Sequence, residues 1–472
     1  MERSLLVTQL ILHSPIMAAP TERRFSLTPE NSALVDAAFA YGLALTFNLE
    51  QVQRYVEDGI GANPAAAFNT FSHARTLAGP ADTFVSINND TLYSMAQLDL
   101  SVGPVLLEVP DTAGRYYVLQ FVDAWTNNFA YVGHRATGTA AGKFLIVPPG
   151  WDGEVPADTT RITAPTLIVS IVGRWACNGT SDLPAVHALQ DAATLTPLDP
   201  GAVPAGLPVV DSSIAPELQF LEKLRLYSQA YPPAQRDLQA LEALAPLGIT
   251  EPGIGRFVGM DAAQTKELGA AIAAAQQRLM DFLRSGGVPI SNGWQLPYHA
   301  FDYNVDFFEV GTLNEPAYTS MPQNERYVRR TAAAIGGLWG NHAYEAAYAP
   351  VYVDSEGDQL NGENDYVLHL SPVPPVNAFW SLTMYSVPDF YLVENQIKRY
   401  SLGDRTEGLE YEADGSLKIY MGSQRPSDPR RAANWLPAPT GVFRPMMRMY
   451  EPAASIIDGS YEMPAIVRLN EK

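Results

Sequence analysis

At 472 residues the chain is too long for one ordinary hydrophobic core, and at roughly 100 to 200 residues per domain it should divide into about three. A net charge of -20 argues against nucleic acid or an anionic membrane surface as partner, because gripping a polyphosphate takes clustered Lys and Arg. Prolines (37) and glycines (35) are numerous and charged residues make up only 17%, which fits many turns between short strands better than a plain helical protein.

Residues 1–27 read as a leader or an unstructured N-terminus. Leu5 to Ala19 after Arg3 has the outline of a secretory signal, but Gln9 and His13 interrupt it and Pro20 follows Ala18 and Ala19. The compartment therefore stays open between cytoplasmic and secreted or periplasmic. No run approaches the roughly 18 apolar residues of a membrane-spanning helix, so no integral membrane contact is expected. A homodimer stays open.

Residues 28–65 predict a helix: Thr28 caps it, Pro29 fits its first turn, and Leu34, Val35, Ala38, Phe39 and Leu45 recur on one face until Gly59 to Gly61. From Phe68 the period changes to two. Apolar runs at Thr83 to Ile87, Leu92 to Leu98, Val105 to Val109, Tyr116 to Val122, Phe129 to Val132, Phe144 to Val147 and Leu167 to Val172 alternate with turn clusters, which predicts a β-sandwich over 66–200. Cys177, the only cysteine, closes the last run; it excludes an intramolecular disulfide and reads as a small buried hydrophobe rather than a nucleophile.

Residues 201–349 return to helical spacing, with helices expected at Ala215 to Ala230, Gln235 to Leu247, Asp261 to Arg284 and about Asn324 to Tyr348. The last contains Gly336, Gly337 and Gly340, each costing up to about 1 kcal/mol in a helix, so close packing there is expected. Strands resume over 350–472. Val376 to Tyr385 alternates, with Ala378, Trp380, Leu382 and Met384 on a dry face and Asn377, Phe379, Ser381, Thr383 and Tyr385 on a hydroxyl-rich face. A second all-β domain of jelly-roll type follows from this pattern.

Six blocks then carry a resemblance: NNDTLYS from Asn88, PDTAGRYYVLQFVDAWTN from Pro110, VHALQD from Val186, PPVNAFWSLTMY from Pro374, RYSLGDR from Arg399 and NWLPAP from Asn434. Between about Phe68 and Leu469 the chain resembles the paired domain-of-unknown-function families 1254 and 1214. That resemblance implies an N-terminal immunoglobulin-like β-sandwich, a central α-helical module and a C-terminal jelly-roll β-sandwich, and it implies no reaction. The chain departs from the pattern at Gln295 to Gln323, a Tyr- and acid-rich segment placed to line or cover a site.

Asn88, Asn89, Asp90, Thr91 and Tyr93 bring amides, a carboxylate, a hydroxyl and a phenol together between two strands, the mixture general acid–base chemistry needs. The same residues also make an Asx-rich turn in which Asp90 caps backbone amides. Asn69, His73 and Arg75 share a face if the run is extended, where imidazole and guanidinium can meet one ligand. In the C-terminal domain Arg399, Tyr400, Asp404 and Arg405 follow the hydroxyl-rich strand, Arg444, Arg448 and Tyr450 alternate on the last one, and His369 lies on another. His342 and Glu345 are spaced as helix-face metal ligands without a third, and Asp354 to Asp365 lacks the glycine position of a calcium loop, so no metal site is expected. Serine-nucleophile, phosphate-loop and dinucleotide fingerprints are absent, and no cofactor is expected.

The expectation is a cofactor-independent hydrolase, lyase or isomerase acting on a small organic or sugar-like molecule in an inter-domain cleft. His73, Asp90 and Tyr93 would be catalytic, with Asn69, Arg75, Asn89, Asn377, Ser381, Tyr385 and Arg399 binding the substrate. The alternative is a non-catalytic glycan- or small-ligand-binding protein using the same groups.

Overall fold

The computed structural model describes residues 29–82, 86–284 and 287–469. The leader read into 1–27 and most of the expected strand at Thr83 to Ile87 lie outside them. Helix Pro29–Asp58 buries Val35, Ala38, Tyr41, Leu45, Leu49 and Val52, a spacing of three and four that makes one continuous apolar stripe. That stripe packs on helices Gln219–Ala230, Ala262–Arg284 and Gln323–Gly337. By length and composition Asn31–Asp58 is apolar enough to cross a membrane, which inspection for unbroken apolar runs does not reveal; here its apolar face is filled by the three later helices.

The first β unit has two sheets. Strands Ser72–His73, Thr91–Asp99, Ile168–Ala176, Tyr117–Asp123 and Asn128–Gly133 form a five-stranded antiparallel sheet in that spatial order. Thr160–Thr163, Gly142–Val147, Val105–Val109 and Thr194–Pro197 form the other. Leu92, Leu98, Leu119, Phe121, Ile171 and Trp175 meet Val105, Leu107, Phe144 and Ile146 in a shared core. The opposite face of the five-stranded sheet, carrying Tyr93, Gln97, Gln120 and Arg174, is also covered, so its central strands are buried on both sides.

In the second β unit, Ala346–Pro350, Phe443–Pro452, Val376–Ser386 and Ser401–Gly403 form one four-stranded sheet. Trp435–Pro437, Leu417–Gly422, Tyr366–Leu370 and Ile466–Arg468 form its partner. Trp380, Leu382 and Met384 lie in the core between them with Leu368, Leu370, Ile419 and Met447, on the face their alternation predicts. The protein is thus predominantly β, with mixed sheets and helices, and among the described residues no sheet closes into a barrel.

The helix expected at Asn324 to Tyr348 is a correction. It ends at Gly337, because Leu338 leaves the helical backbone at ψ 138° and Trp339 has φ +63°, and Ala346–Pro350 instead pairs with Phe443–Pro452. Gly340 does serve close packing, though outside a helix: a Cβ there would come within 2.1 Å of the Phe301 ring. The Gln295 to Gln323 segment lies along the edge strand Asn128–Gly133. Glu309 N–H donates to the Phe129 carbonyl at 2.9 Å and Tyr131 N–H to the Val310 carbonyl at 2.8 Å, which covers an edge that would otherwise be open.

Asp123 ends its strand fully inside the fold, where its carboxylate accepts from the Asn127 backbone N–H at 2.8 Å and the Asn127 side-chain amide at 2.9 Å. Burial pushes this carboxyl up to about 6. A carboxyl raised in the folded state costs stability as pH rises from its ordinary value through 6. The gap in unfolding free energy between Asp123→Asn and the parent should therefore move in the variant's favour by roughly 2 kcal/mol between pH 4 and pH 7. Denaturant titrations at the two pH values check this, and a pH-independent gap would refute it.

Candidate functional site at the seam between the two β units

The turn before strand Thr91–Asp99 is closed by Asn88. Its Oδ1 accepts from the Asp90 and Thr91 backbone N–H groups, each at 3.0 Å, and from the Thr91 hydroxyl at 3.1 Å. Asn88 thus takes the capping role that Asp90 was a candidate for. The Asp90 carboxylate is released from its own turn and reaches the other β unit, where Ser381 donates to its Oδ2 at 2.6 Å and Tyr450 at 3.2 Å. Arg405 donates to the Asp90 carbonyl at 3.1 Å while its guanidinium lies 3.5 Å over the Phe379 ring. Tyr385 donates to the Ile87 carbonyl at 2.6 Å, and Arg448 to the Thr383 hydroxyl at 2.9 Å and the Ser86 carbonyl at 2.6 Å.

The alternation of the facing strands produces this seam. Ser381, Thr383 and Tyr385 from Val376–Ser386, and Arg448 and Tyr450 from Phe443–Pro452, point away from the Trp380 core toward the five-stranded sheet. That sheet answers with Tyr93 and Arg174, whose guanidinium carbon is 5.5 Å from the Tyr93 ring centre. Arg174 donates to Gln120 Oε1 at 3.0 Å, Asn341 Oδ1 at 3.3 Å and the Trp339 carbonyl at 2.9 Å. Tyr116 donates to Glu345 at 2.9 Å, and Glu345 is also held by Arg135 at 2.7 Å. Burial, with the nearby Asp90 charge, pushes the Tyr450 phenol well above its usual range, so its O–H remains a donor. Tyr93 and Tyr348 are half-buried and keep accessible surface, whereas Ser381, Thr383, Tyr385 and Arg448 are sealed.

Asp90, Tyr93, Ser381 and Tyr385 are therefore brought to the seam, and six other candidate site residues are not. His73 pairs in register with Ser94, so it lies on the sheet face opposite Tyr93. Its Nδ1 meets the Ser94 hydroxyl at 2.7 Å, and burial, then the Arg75 charge, lowers its pKa to about 4. Arg75 is ion-paired with Asp191 on helix Leu183–Ala192. Asn69 mimics a strand partner, exchanging hydrogen bonds with the Asp99 backbone at 3.0 and 3.2 Å. Asn89 donates to the Ala78 carbonyl. Asn377 is exposed, because a bulge between Val376 and Phe379 breaks the alternation just after it. Arg399 holds the Ala433 and Trp435 carbonyls, each at 2.9 Å, away from the seam.

Outside the seam, His369 meets the Ser416 hydroxyl at 3.0 Å, and the His342 ring meets the Tyr344 hydroxyl at 2.7 Å. No group of three or more potential metal ligands is assembled among the described residues. The seam residues that sequence reasoning missed are Arg174, Asn341 and Tyr348. An arginine as the one charged residue of a strand rich in Ile and Val is a readable signal for the first.

The fold and seam define a two-part β protein whose β units meet through polar side chains. Residues 68–197 match the family described as Protein of unknown function (DUF1254), and residues 345–454 match Protein of unknown function (DUF1214). The chain belongs to the proteins that join these two families in this order. The crystal structure of the VPA0106 protein from Vibrio parahaemolyticus is similar in fold, at 24% identity and a TM-score of 0.71 over 93% of this chain and 100% of that one. An uncharacterized protein from Burkholderia cenocepacia aligns at 13% identity over 92% of this chain and 88% of that one, with a TM-score of 0.43. No curated protein matches the chain.

Proposed function

We propose that the protein is a cofactor-independent enzyme that acts by general acid–base chemistry on a small organic or sugar-like molecule at the seam. In this reading an immunoglobulin-like N-terminal domain and a jelly-roll C-terminal domain supply one half of the site each. The observation that carries it is the Asp90 carboxylate, which leaves its own turn to meet Ser381 and Tyr450 of the other domain. Asp90 is the acid–base group, and the Tyr450 phenol, kept protonated by burial, holds it with a hydrogen bond. Tyr93 lines the space, and Arg174 and Arg448 bring positive charge to stabilise a developing anion. His73 drops out of the catalytic set because the sheet separates it from Asp90. Hydrolase, lyase and isomerase chemistry all suit this set.

Asp90→Asn tests the reading cleanly. Ser381 and Tyr450 donate to the same carboxylate oxygen, so the asparagine oxygen can accept both hydrogen bonds while the titratable group is lost. Purified parent protein should deplete a component of a metabolite mixture, and the variant should melt as a folded protein yet deplete it on the order of a hundredfold or more slowly. Equal rates would remove Asp90 from catalysis. The rival, a non-catalytic ligand-binding protein, is favoured by one observation, that Asp90 Oδ2 already accepts two hydrogen bonds. It predicts a metabolite bound and recovered unchanged.

A further inference from the structure

Arg174, Arg444 and Arg448 are 7%, 5% and 3% exposed. Among the described residues none of them sits in an ion pair. Arg174 is held by an amide oxygen from Gln120, one from Asn341 and the Trp339 carbonyl. Arg448 is held by the Thr383 hydroxyl and the Ser86 carbonyl, and Arg444 donates to the Ser86 and Tyr352 hydroxyls. Of the buried carboxylates at the seam, Glu345 is already paired with Arg135 and Glu451 meets His134, which leaves Asp90. Burying a guanidinium without a counter-charge is costly, and here three are buried with no ion pair, of which Arg448 alone feels the Asp90 charge, in a chain whose net charge is -20.

Hydrogen-bond donors are in excess as well. Asn341 is fully buried, and its Nδ2 has no partner within reach but the Tyr348 hydroxyl, whose own O–H is then left to donate elsewhere. The amide cannot be turned over to relieve this, since its oxygen must face the Arg174 guanidinium that donates to it. Nδ2 is thus fixed on the side of Tyr348, one of the two rings that keep accessible surface in the seam. Charge and hydrogen-bonding capacity ask for the same missing partner, an acceptor carrying negative charge beside Arg174, Asn341 and Tyr348.

We infer that the ligand of the seam is a small organic carboxylate, bound by Arg174, Asn341 and the Tyr348 hydroxyl, with its body between the Tyr93 and Tyr348 rings. A planar carboxylate suits a guanidinium and an amide N–H presented side by side. This rests on the reading of the seam as the functional site and adds the chemical class of what enters it.

Full-length protein is titrated with acetate, benzoate and glucuronate against acetamide, benzamide and glucose, with inorganic phosphate as a further arm, by calorimetry and thermal shift. At least one carboxylate should raise Tm saturably while its neutral counterpart does not. Arg174→Lys keeps the charge but loses the fork, and Tyr348→Phe keeps the ring but loses the hydroxyl. Each, shown folded by circular dichroism, should bind that carboxylate roughly tenfold or more weakly. Equal binding of the neutral counterparts, phosphate binding as tightly as the carboxylates, or folded variants that bind like the parent would each overturn the inference. Asp90→Asn separates the two levels. Carboxylate binding kept with turnover unaffected removes the catalytic reading alone, and turnover of a neutral metabolite lost in that variant with no carboxylate bound removes the carboxylate alone.

Discussion

Replacing Asp237 with alanine is expected to cost about 3 to 5 kcal/mol of unfolding free energy, because it leaves two buried arginines without their shared anion. Arg326 and Arg330 are each 1% exposed and come from consecutive turns of helix Gln323–Gly337. Arg326 is ion-paired with Asp237, Tyr327 donates to the same carboxylate at 2.9 Å, and Arg330 lies 3.8 Å from its other oxygen. Without Asp237, Arg326 keeps Asp306 at 3.2 Å. Arg330 keeps the Tyr41 carbonyl at 3.2 Å and the faces of Trp125, Tyr327 and Tyr41 at 5.2 to 5.8 Å. Those aromatic contacts are worth about 0.5 to 2 kcal/mol each at best and do not replace a carboxylate. The Nε atoms of both arginines already lack partners, so no spare hydrogen bonding is available to absorb the change. Denaturant unfolding measures the loss. Adding Arg326→Met to Asp237→Ala should restore part of it, because removing the orphaned charge removes its desolvation cost. A single-variant loss under about 1 kcal/mol would mean that water or rearrangement satisfies the arginines.

This cluster also shows what a single sequence hides. Helix Pro29–Asp58 reads as a separate N-terminal element, yet Arg330 donates to its Tyr41 carbonyl and Thr331 to its Ala40 carbonyl, 289 and 291 positions away. Side-chain periodicity reports which face of an element is buried and not which element buries it. Where the facing itself carries the information, it is legible. The alternation Trp380, Leu382, Met384 against Ser381, Thr383, Tyr385 separates a core from a seam, because a strand buried on both sides still sorts apolar from polar groups by parity. The same rule fails at Asn377, where one bulge shifts the parity, and at His73, where the strand is two residues long and only its pairing with Ser94 fixes its face. Asp90 was readable as a candidate from its neighbours. That Asn88 and not Asp90 closes the turn depends on which side chain reaches the backbone amides, and composition does not distinguish them.

Trp380→Ala should cost a further 3 to 5 kcal/mol or so, and it tests whether the seam depends on the core beneath it. Trp380 is 2% exposed in an inner strand of its sheet, flanked by Phe443–Pro452 on one side and Ser401–Gly403 on the other. Its neighbours cannot close the void easily. The backbone is pinned by the ladder and by Asp404, which accepts from the Trp380 N–H at 3.2 Å. Gly403 sits so close that a Cβ there would lie 2.1 Å from the Trp380 carbonyl, so the strands are already at their limit of approach. A cavity of indole size therefore stays largely open, which is the costly case for a large-to-small change. Denaturant midpoints should fall with the m-value unchanged, and Trp380→Phe should lose clearly less, since most of the volume is kept. Ser381 is the next residue, and the hydroxyl it directs at Asp90 depends on this strand holding its register. The alanine variant should accordingly lose seam function under conditions where it is still folded, whereas phenylalanine should keep it. A fully folded Trp380→Ala protein with stability within about 1 kcal/mol of the parent would show that the two sheets can close over the missing ring.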